Sequence, residues 1–440
     1  MKERYARQQL LEGWDQSRLD AAVLAIVGCG PLAFLCSVMA AAMGFGRIVL
    51  LGRQGSRPPH PALPALLGPT LRARADWLMR LNPGVRAYAC PVGLRPDLPA
   101  RLPRLDAAIV AGNDLADWLA GARLARAAGV PVLGGASAGG LGLWGPLALD
   151  SLLPRLCRCR ESPLVSQVVA GLLVEEARRI LLPLPDEEGP ADRLNRVCIP
   201  AAGGMLAARA CRRRSPDASL ALVGAGALGS WFGVALGMSG SPACLALYDH
   251  DQIEETNLNR QILFHEAVGK PKATTLAARL ADWFPRLDVS GCALRVERGS
   301  QKVLLEAGVL IACPDSFAVR SLLNDLGRRH RRPLLSGGTS AGGGSCLVYA
   351  PGATACLSCR LRIEERAAAE QAPARCGRVP EGSVVTSNAI VGALMVALLQ
   401  GLEAGCPERG LWEYDGRPQN GRLARHSPWP ACGCRGGRGS

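Results

Sequence analysis

The stretch LALVGAGALGS, residues 220–230, decides the fold of this chain. A short apolar run leads into Gly224, Gly226 and Gly229, which spell Gly-x-Gly-x-x-Gly, and an apolar, helix-like segment follows directly. Glycines in such a turn let backbone N–H groups approach a phosphate at the positive end of a helix. The stretch therefore predicts the strand, phosphate-binding turn and helix of a Rossmann-type α/β fold.

A second stretch, LALYDHDQIEETNLNRQILFHEAVGKPKA at residues 245–273, follows at about the length of one βαβ unit. Asp249 ends its first apolar run, where an acid would hold the ribose of a nucleotide. Lys272 is one of only four lysines in the chain. NLNRQ adds polar side chains at the carboxyl edge of the sheet, among them Asn257, Arg260 and Gln261. The cations Arg260 and Lys272 suit chemistry at a triphosphate, where charge develops on the phosphate oxygens. The glycines alone would also allow a dinucleotide-dependent oxidoreductase, but these cations disfavour it.

These motifs resemble the core of the ThiF/MoeB/HesA family, the ubiquitin-activating-type adenylating enzymes. GAGALG, DHD, NLNRQ and GKPKA carry the resemblance, and LIACPDSFAVRSLLND at residues 310–325 continues it. The resemblance implies an ATP site in which Asp315 is the Mg²⁺ ligand. It places Arg320 and Asn324 in supporting positions on the following helix.

The opening of the chain, RYARQQLLEGWDQSRLDAAVLAIVG at residues 4–28, is similar to the family's N-terminal helix and first strand. In dimeric members an arginine of this helix reaches the ATP bound by the partner. The resemblance therefore implies that Arg7 acts on ATP bound by another domain. A surface salt bridge is the alternative interpretation of Arg7.

The two halves of the chain contain similar sequence stretches in the same order, which indicates an internal repeat. VLAIVGCGPLAF at residues 23–34 stands where the glycine stretch does in the second half, and SPLVSQVVAGLLVEEARRIL at 162–181 matches SVVTSNAIVGALMVALLQGL at 383–402. We therefore predict two tandem Rossmann-like ThiF-type domains that form a pseudo-two-fold pair. Their predicted extents are residues 1–214 and 215–440.

The two predicted domains differ in chemistry. In the first, Ala33 replaces the third glycine, Pro31 enters the turn, and Arg53 stands where the ribose acid is expected. An arginine cannot accept a hydrogen bond from a ribose hydroxyl. The first domain is therefore predicted to bind no nucleotide, and the second to be the catalytic one.

Composition limits the partners and the location. The formal net charge of +14 favours an acidic partner, but the arginines are scattered and aromatic residues make up only 4%, so no nucleic acid is expected. The start of the chain lacks the apolar core of a signal peptide, and no apolar run predicts a membrane span. An ATP-using protein with 17 cysteines fits a reducing cytoplasm.

Four cysteines predict a metal clip. Cys356 and Cys359 form Cys-x-x-Cys, and the tail reads WPACGCRGGRGS with Cys432 and Cys434. The resemblance implies that two such pairs hold one structural Zn²⁺, although the family's second pair is spaced Cys-x-x-Cys. Free or oxidised thiols at the tail are the alternative.

Cys376 lies in ARCGRVPEGSVVTSN, between the clip and an apolar helix. In related enzymes a cysteine of this crossover loop forms a thioester or an acyl persulfide. Arg375 and Arg378 would favour its thiolate, the form that attacks an activated carboxyl. An ordinary exposed cysteine is the alternative.

The resemblance implies ATP-dependent adenylation of the C-terminal carboxylate of a ubiquitin-like or sulfur-carrier protein that ends in Gly-Gly. The activated protein would pass through Cys376 to a conjugating enzyme or a sulfur donor. Two other functions stay open: adenylation of a ribosomal peptide in natural-product tailoring, and a non-catalytic scaffold that binds a partner protein.

Overall fold

A computed structural model describes residues 3–52, 70–90, 103–147, 156–199, 219–241, 243–371, 381–417, 422–427, 430, 432 and 434. Within these residues the strands form two sheets. The first sheet contains β1 (Val23–Val27), β2 (Arg47–Leu51), β3 (Arg86–Cys90), β4 (Ala107–Ala111), β5 (Val132–Ala138), β6 (Leu141–Pro146) and β7 (Asn195–Cys198). The second contains β8 (Ser219–Val223), β9 (Ala243–Tyr248), β10 (Leu287–Cys292), β11 (Val309–Ala312), β12 (Leu334–Thr339), β13 (Gly343–Tyr349), β14 (Trp412–Asp415) and β15 (Arg422–Arg425).

The two sheets share one topology. The first has the order β3-β2-β1-β4-β5-β6-β7, and the second repeats it as β10-β9-β8-β11-β12-β13-β14 before β15 is added. In each sheet the first five strands are parallel and the later ones antiparallel. The central strands are almost wholly apolar because helices cover both faces of a parallel sheet. The predicted α/β class with two Rossmann-like units is confirmed.

Helices flank both sheets. Those of the first half are α1 (Gln16–Ala21), α2 (Pro31–Met43), α3 (Leu71–Leu81), α4 (Leu115–Ala128) and α5 (Pro163–Leu181). Those of the second half are α6 (Ala227–Met238), α7 (Lys272–Trp283), α8 (Gln301–Leu305), α9 (Phe317–Arg329), α10 (Leu357–Leu361), α11 (Ile363–Gln371) and α12 (Val385–Glu403). Every residue of α2 is buried, as expected of a helix that is apolar on all sides. The predicted boundary between residues 214 and 215 lies outside the described residues.

Helices α5 and α12 pack against each other and join the two halves. The amide of Gln167 on α5 donates to the carbonyl of Ala389 on α12 at 2.8 Å. The hydroxyl of Thr386 donates to the carboxylate of Glu175 at 2.6 Å. Because these bonds cross between the halves and lie within the packed helix pair, they help to fix the relative position of the two sheets.

A glycine lets the two joining helices approach closely. A Cβ at Gly171 would lie 2.6 Å from Cγ1 of Ile390, a distance that real Cβ contacts do not show. We therefore expect Gly171→Leu to lower the free energy of unfolding by about 1–3 kcal/mol, because overpacked cores cost energy of this order. Urea unfolding measures the change, with Gly189→Leu as the control because no atom lies within 4 Å of a Cβ there. Equal unfolding midpoints for the two variants would contradict this packing.

Among the described residues, α12 is the one helix long and apolar enough to cross a membrane by length and composition alone. In its most apolar window, 83% of the residues are buried inside the protein. Its apolar surface is covered by α5, α6 and the second sheet. Most of this apolar helix is therefore buried inside the protein.

Candidate nucleotide site and cysteine clip

The glycine turn joins β8 to α6. Gly224 has φ +97°, and a Cβ there would lie 2.7 Å from the carbonyl carbon of Cys313. A Cβ on Gly229 would lie 2.1 Å from the Gly224 oxygen. Gly226 differs, because no atom lies within 4 Å of a Cβ built on it. Two of the glycines therefore allow close packing, and the third borders open space at the N-terminus of α6, where a phosphate is stabilised.

The turn lies where the strand order of the second sheet reverses. Strand β8 pairs in parallel with β9 on one side and with β11 on the other. Ligands of open α/β sheets bind in the crevice at this point, beyond the carboxyl ends of the strands. Asp249 follows β9 and Asp315 follows β11, so two carboxylates flank the turn.

Asp249 is tied to the backbone of the turn. Its carboxylate accepts hydrogen bonds from the N–H of Ala225 at 2.7 Å and from the N–H of Asp251 at 2.8 Å. Burial raises the pKa of Asp249, while these N–H groups and the charge of Lys272 lower it. The side chain lies at the position predicted for the ribose acid, and it also holds the shape of the turn.

Lys272 opens α7 and is largely buried. Its Nζ lies 2.9 Å from a carboxylate oxygen of Asp251, and its backbone N–H donates to the carbonyl of the same residue. Asp251 was not singled out in the sequence. Its half-exposed carboxylate holds the lysine at the edge of the crevice. Lys270 is exposed nearby.

The NLNRQ segment packs under the crevice. Asn257 is buried and its side-chain oxygen accepts from the N–H of Glu254 at 3.0 Å, which closes a short helical turn. Gln261 is also buried, and its Oε1 has no hydrogen-bond partner among the residues that the structure describes. Asn257 therefore shapes the segment, whereas Gln261 has an acceptor left for a ligand.

Arg260 carries a buried charge without a carboxylate partner. Its Nη1 donates to the carbonyl of Thr256 at 2.7 Å and to Oδ1 of Asn259 at 2.8 Å. Within the described part of the chain, no carboxylate lies at ion-pair distance from it. Burial and the positive charge of Arg7 lower the pKa of Arg260 to about 10, and the charge of Glu254 offsets part of this shift. An anion would relieve both effects.

The N-terminal segment brings Arg7 from the first half to this place. Arg4 donates to the carbonyl of Leu81 in the first half at 3.0 Å and to that of Leu258 in the second at 3.3 Å. Gln8 accepts from the side chain of Asn259 at 3.0 Å. The guanidinium of Arg7 forms no ion pair or hydrogen bond with any residue in the described ranges. The two arginines thus approach each other from different halves of one chain.

Asp315 is exposed at the end of β11, directly before α9. Arg320 lies beneath it, where its guanidinium donates to the carbonyl of Pro314 at 2.5 Å and to the hydroxyl of Ser336 at 3.0 Å. Arg320 therefore ties the ends of β11 and β12 together and supports the loop that carries Asp315. An exposed carboxylate at the crevice is a suitable Mg²⁺ ligand, since this ion keeps several waters and takes few carboxylates.

Glu370 on α11 caps the helix that follows Asp315. One oxygen of its carboxylate accepts from the hydroxyl of Ser316 and from the N–H of Ala318, both at 3.0 Å. A carboxylate at this position stabilises the N-terminus of α9. The sequence did not indicate this role, because Glu370 lies in a segment of glutamates, arginines and alanines without a motif.

Asn324 contacts the clip rather than the crevice. Its amide nitrogen donates to the hydroxyl of Ser358 at 2.7 Å, and its oxygen accepts from the N–H of Leu357 at 2.9 Å. Both ends of the fully buried amide are thus bonded to the segment between Cys356 and Cys359. This arrangement supports a role in holding the clip.

The four cysteines of the clip come together in the structure. One sulfur atom from each of Cys356, Cys359, Cys432 and Cys434 lies within 4.8 Å of the others. Zinc–sulfur bonds of about 2.3 Å put the ligands of a tetrahedral ion roughly 3.8 Å apart. The cluster is therefore a donor set of the type and size that zinc takes, despite the Cys-x-Cys spacing of the second pair.

A family model described as the ThiF family matches residues 205–435, just over half of the chain. The chain belongs to the ThiF family. The resemblance predicted from the glycine turn, NLNRQ and GKPK is thereby confirmed. The matched residues contain the second sheet, the crevice and the clip.

Curated relatives of this ThiF-family chain are similar over shorter segments. It is 31% identical over 194 residues to the adenylyltransferase and sulfurtransferase MOCS3 of Drosophila ananassae, which covers 43% of this chain and 40% of that protein. It is 31% identical over 156 residues to the NEDD8-activating enzyme E1 catalytic subunit of Arabidopsis thaliana, covering 32% and 34%. It is 29% identical over 154 residues to the sulfur carrier protein ThiS adenylyltransferase of Bacillus subtilis, covering 34% and 46%. The matched segments span less than half the length of these relatives.

Two predicted features of the ThiF-family chain have no description in the structure. Cys376 and its neighbours lie outside the described residues, so its role as an acceptor stays a prediction. Arg53, the replacement for the ribose acid in the first half, also lies outside them.

Proposed function

We propose that this chain uses ATP to adenylate the C-terminal carboxylate of a ubiquitin-like or sulfur-carrier protein that ends in Gly-Gly. The approach of Arg7 to Arg260, together with the open space at the glycine turn, carries the proposal. Two guanidiniums without carboxylate partners repel each other unless an anion lies between them. A triphosphate supplies that anion, and the open space at Gly226 admits it.

In this proposal the basic side chains bind different phosphate groups of ATP. Arg260 and Lys272 neutralise the charge that shifts to the departing pyrophosphate, and Arg7 holds the terminal phosphate from the first half. Lys272 leaves Asp251 to do this. Asp249 orients the ribose, while Gln261 offers its unpaired oxygen to the nucleotide. Asp315 would hold the Mg²⁺ that accompanies ATP, and this ion would supply positive charge at the phosphates.

In the proposed reaction an oxygen of the carrier's terminal carboxylate attacks the α-phosphorus of ATP. A bond forms between that oxygen and phosphorus as the bond to the pyrophosphate oxygen breaks, which gives an acyl-adenylate and pyrophosphate. No general base is required, because a terminal carboxylate is already ionised at neutral pH. Relatives named for adenylyl transfer and for activation of NEDD8 support this reaction class.

A later step would transfer the activated carrier to Cys376. The thiolate would attack the acyl carbon, release AMP and form a thioester for a conjugating enzyme or a sulfur donor. The fusion of an unequal pair of units in one chain favours ubiquitin-like conjugation over the sulfur-carrier pathway, whose enzymes are symmetric dimers. We place this activity in a reducing cytoplasm, because an ATP-using chain with 17 cysteines fits that compartment.

ATP–pyrophosphate exchange tests the proposal. The purified chain is mixed with small Gly-Gly-ended proteins from the same cell, and each carrier truncated by its two glycines is the matched control. We expect exchange with the intact carrier alone, and we expect Cys376→Ala to keep exchange but to lose a reductant-sensitive adduct of the carrier. If exchange occurs only with a short ribosomal peptide, the function is adenylation of that peptide in natural-product tailoring. No exchange with any candidate would favour the scaffold.

We also propose that the clip holds one structural zinc ion. Elemental analysis of the purified chain should find one zinc per chain, and Cys434→Ser should lower that content and the melting temperature, because bound metal contributes directly to folding. Cys406→Ser is the control, since this cysteine is exposed and not part of the cluster. A chain without zinc, with unchanged stability after Cys434→Ser, would contradict the assignment.

A further inference from the structure

The first half has its own glycine turn, and an acidic side chain fills it. A Cβ built on Gly30 would lie 2.1 Å from Oε1 of Glu161, whereas the same construction on Gly226 meets no atom within 4 Å. Gly30 and Gly226 are the N-caps of α2 and α6, which follow the first strand of each sheet. The corresponding space is therefore open in one half and occupied in the other.

The contacts of Glu161 are those of a bound anion. Its Oε2 accepts from the N–H of Leu32, in the first turn of α2, at 2.8 Å. Burial is the main cause that raises the pKa of Glu161 to about 7, and the charge of Asp117 adds to it, while that N–H, the hydroxyl of Ser166 and the charge of Arg74 lower it. A carboxylate thus takes the place at this helix N-terminus that a phosphate takes in nucleotide-binding members of the fold.

Arg74 is a second sign of an anion site. It comes from α3, is only 7% exposed, and its Nη1 has no hydrogen-bond partner within the described ranges. Burial lowers the pKa of Arg74, and the charges of Cys29 and Glu161 raise it, so the guanidinium lies near Glu161 and the turn residue Cys29. A buried cation with an unpaired donor beside a helix N-terminus is a site for an oxyanion.

The internal repeat of the chain explains why a side chain fills the glycine turn in only one half. When residues 162–181 are aligned with residues 383–402, Glu161 corresponds to Gly382. At Gly382 the chain has no side chain to place in the crevice, and a Cβ there would meet Leu11 at 2.6 Å. The N–H of the next residue, Ser383, donates to the carbonyl of Arg7 at 3.0 Å. In the second half the segment that carries Arg7 therefore occupies this place, and the space at Gly226 stays open.

We infer that the first half retains an anion-binding cradle, formed by the turn at Gly28–Gly30 and Arg74, which Glu161 occupies from within the chain. The carboxylate keeps phosphate groups out of this half and anchors the start of α5, the helix that joins the halves. An emptied cradle takes a small tetrahedral oxyanion of the phosphate type. The inference is independent of the proposed function, since it concerns the other half.

Glu161→Gly tests the inference, because glycine is the residue at the matching position of the second half. Glu161→Gln is the matched control, since the amide keeps the shape of the side chain and leaves the cradle filled. The probe is inorganic phosphate, and the site-specific readout is the alkylation rate of Cys29, measured by peptide mass spectrometry. Cys29 lies within the turn and is partly exposed.

We expect phosphate to slow alkylation of Cys29 several-fold in Glu161→Gly and to leave the rate unchanged in the wild type and in Glu161→Gln. If Glu161→Gly is partly unfolded without ligand, phosphate should raise its melting temperature more than that of the wild type. A variant with no phosphate effect on either quantity would overturn the inference. Because both quantities are compared with the wild type, the result does not depend on whether the second half adenylates a carrier.

Discussion

Asp315→Asn is expected to reduce carrier-dependent ATP–pyrophosphate exchange by roughly 10³-fold, because a metal ion held at the phosphates contributes several kcal/mol to the transition state. Asp315 is exposed, and its charge is not part of a described ion pair. The loop that carries it is held by Arg320 and by the Glu370 cap on α9. The loss should therefore appear in exchange and not in the melting temperature.

The first half offers a matched control for this variant. Asp114 stands at the same place after β4, and its carboxylate accepts from the N–H of Ala116 at 2.9 Å, at the start of α4. Asparagine caps helices as well as aspartate does. Asp114→Asn should therefore leave exchange unchanged if only the second half binds nucleotide. A similar loss in both variants would mean that the two halves share the chemistry.

Arg7→Gln should lower exchange by about 10²-fold, the order of effect seen when one preorganised donor to a developing charge is removed. Folding should not change, since the guanidinium of Arg7 has no partner in the described part of the chain. The backbone carbonyl, which accepts from Ser383, is kept in the variant. Arg18→Gln is the control, because this arginine is exposed on the neighbouring helix.

Mixing two inactive variants tests whether Arg7 acts within its own chain. In the structure Gln8, next to Arg7, accepts a hydrogen bond from Asn259, next to Arg260 of the same chain. A mixture of Arg7→Gln and Asp315→Asn should therefore remain as inactive as its components. Restored exchange would show that Arg7 reaches the site of a second copy, and a fully active Arg7→Gln would remove this residue from the site.

The sequence predicts the parts of the site that depend on local pattern. The glycine turn and Asp249 are separated by one βαβ unit, so their spacing fixes their positions at the edge of the sheet. The repeat of the first half in the second likewise predicts the shared strand order. Arg7 could be placed only through the family resemblance, because its approach to Arg260 depends on how the halves pack.

Other features depend on contacts that no local pattern encodes. Glu370 caps a helix 52 residues earlier in the chain, and Glu161 bonds a helix turn 129 residues earlier. Asn324 follows Asp315 on α9, and only the fold shows that its amide is directed to Leu357 and Ser358 in the clip. In each case one polar side chain forms hydrogen bonds with backbone or side-chain groups that are distant in the sequence. Only the tertiary packing brings these groups together.

The most direct test of the account follows the α-phosphate of ATP. The chain is incubated with ATP labelled at that position and with an intact Gly-Gly-ended carrier, and the products are separated rapidly. The account predicts label on the carrier as an acyl-adenylate, one pyrophosphate released for each adenylate, and neither product with Asp315→Asn. Label found only in ADP, or retained in ATP with every carrier that binds the chain, would contradict adenylation as the function of the second half.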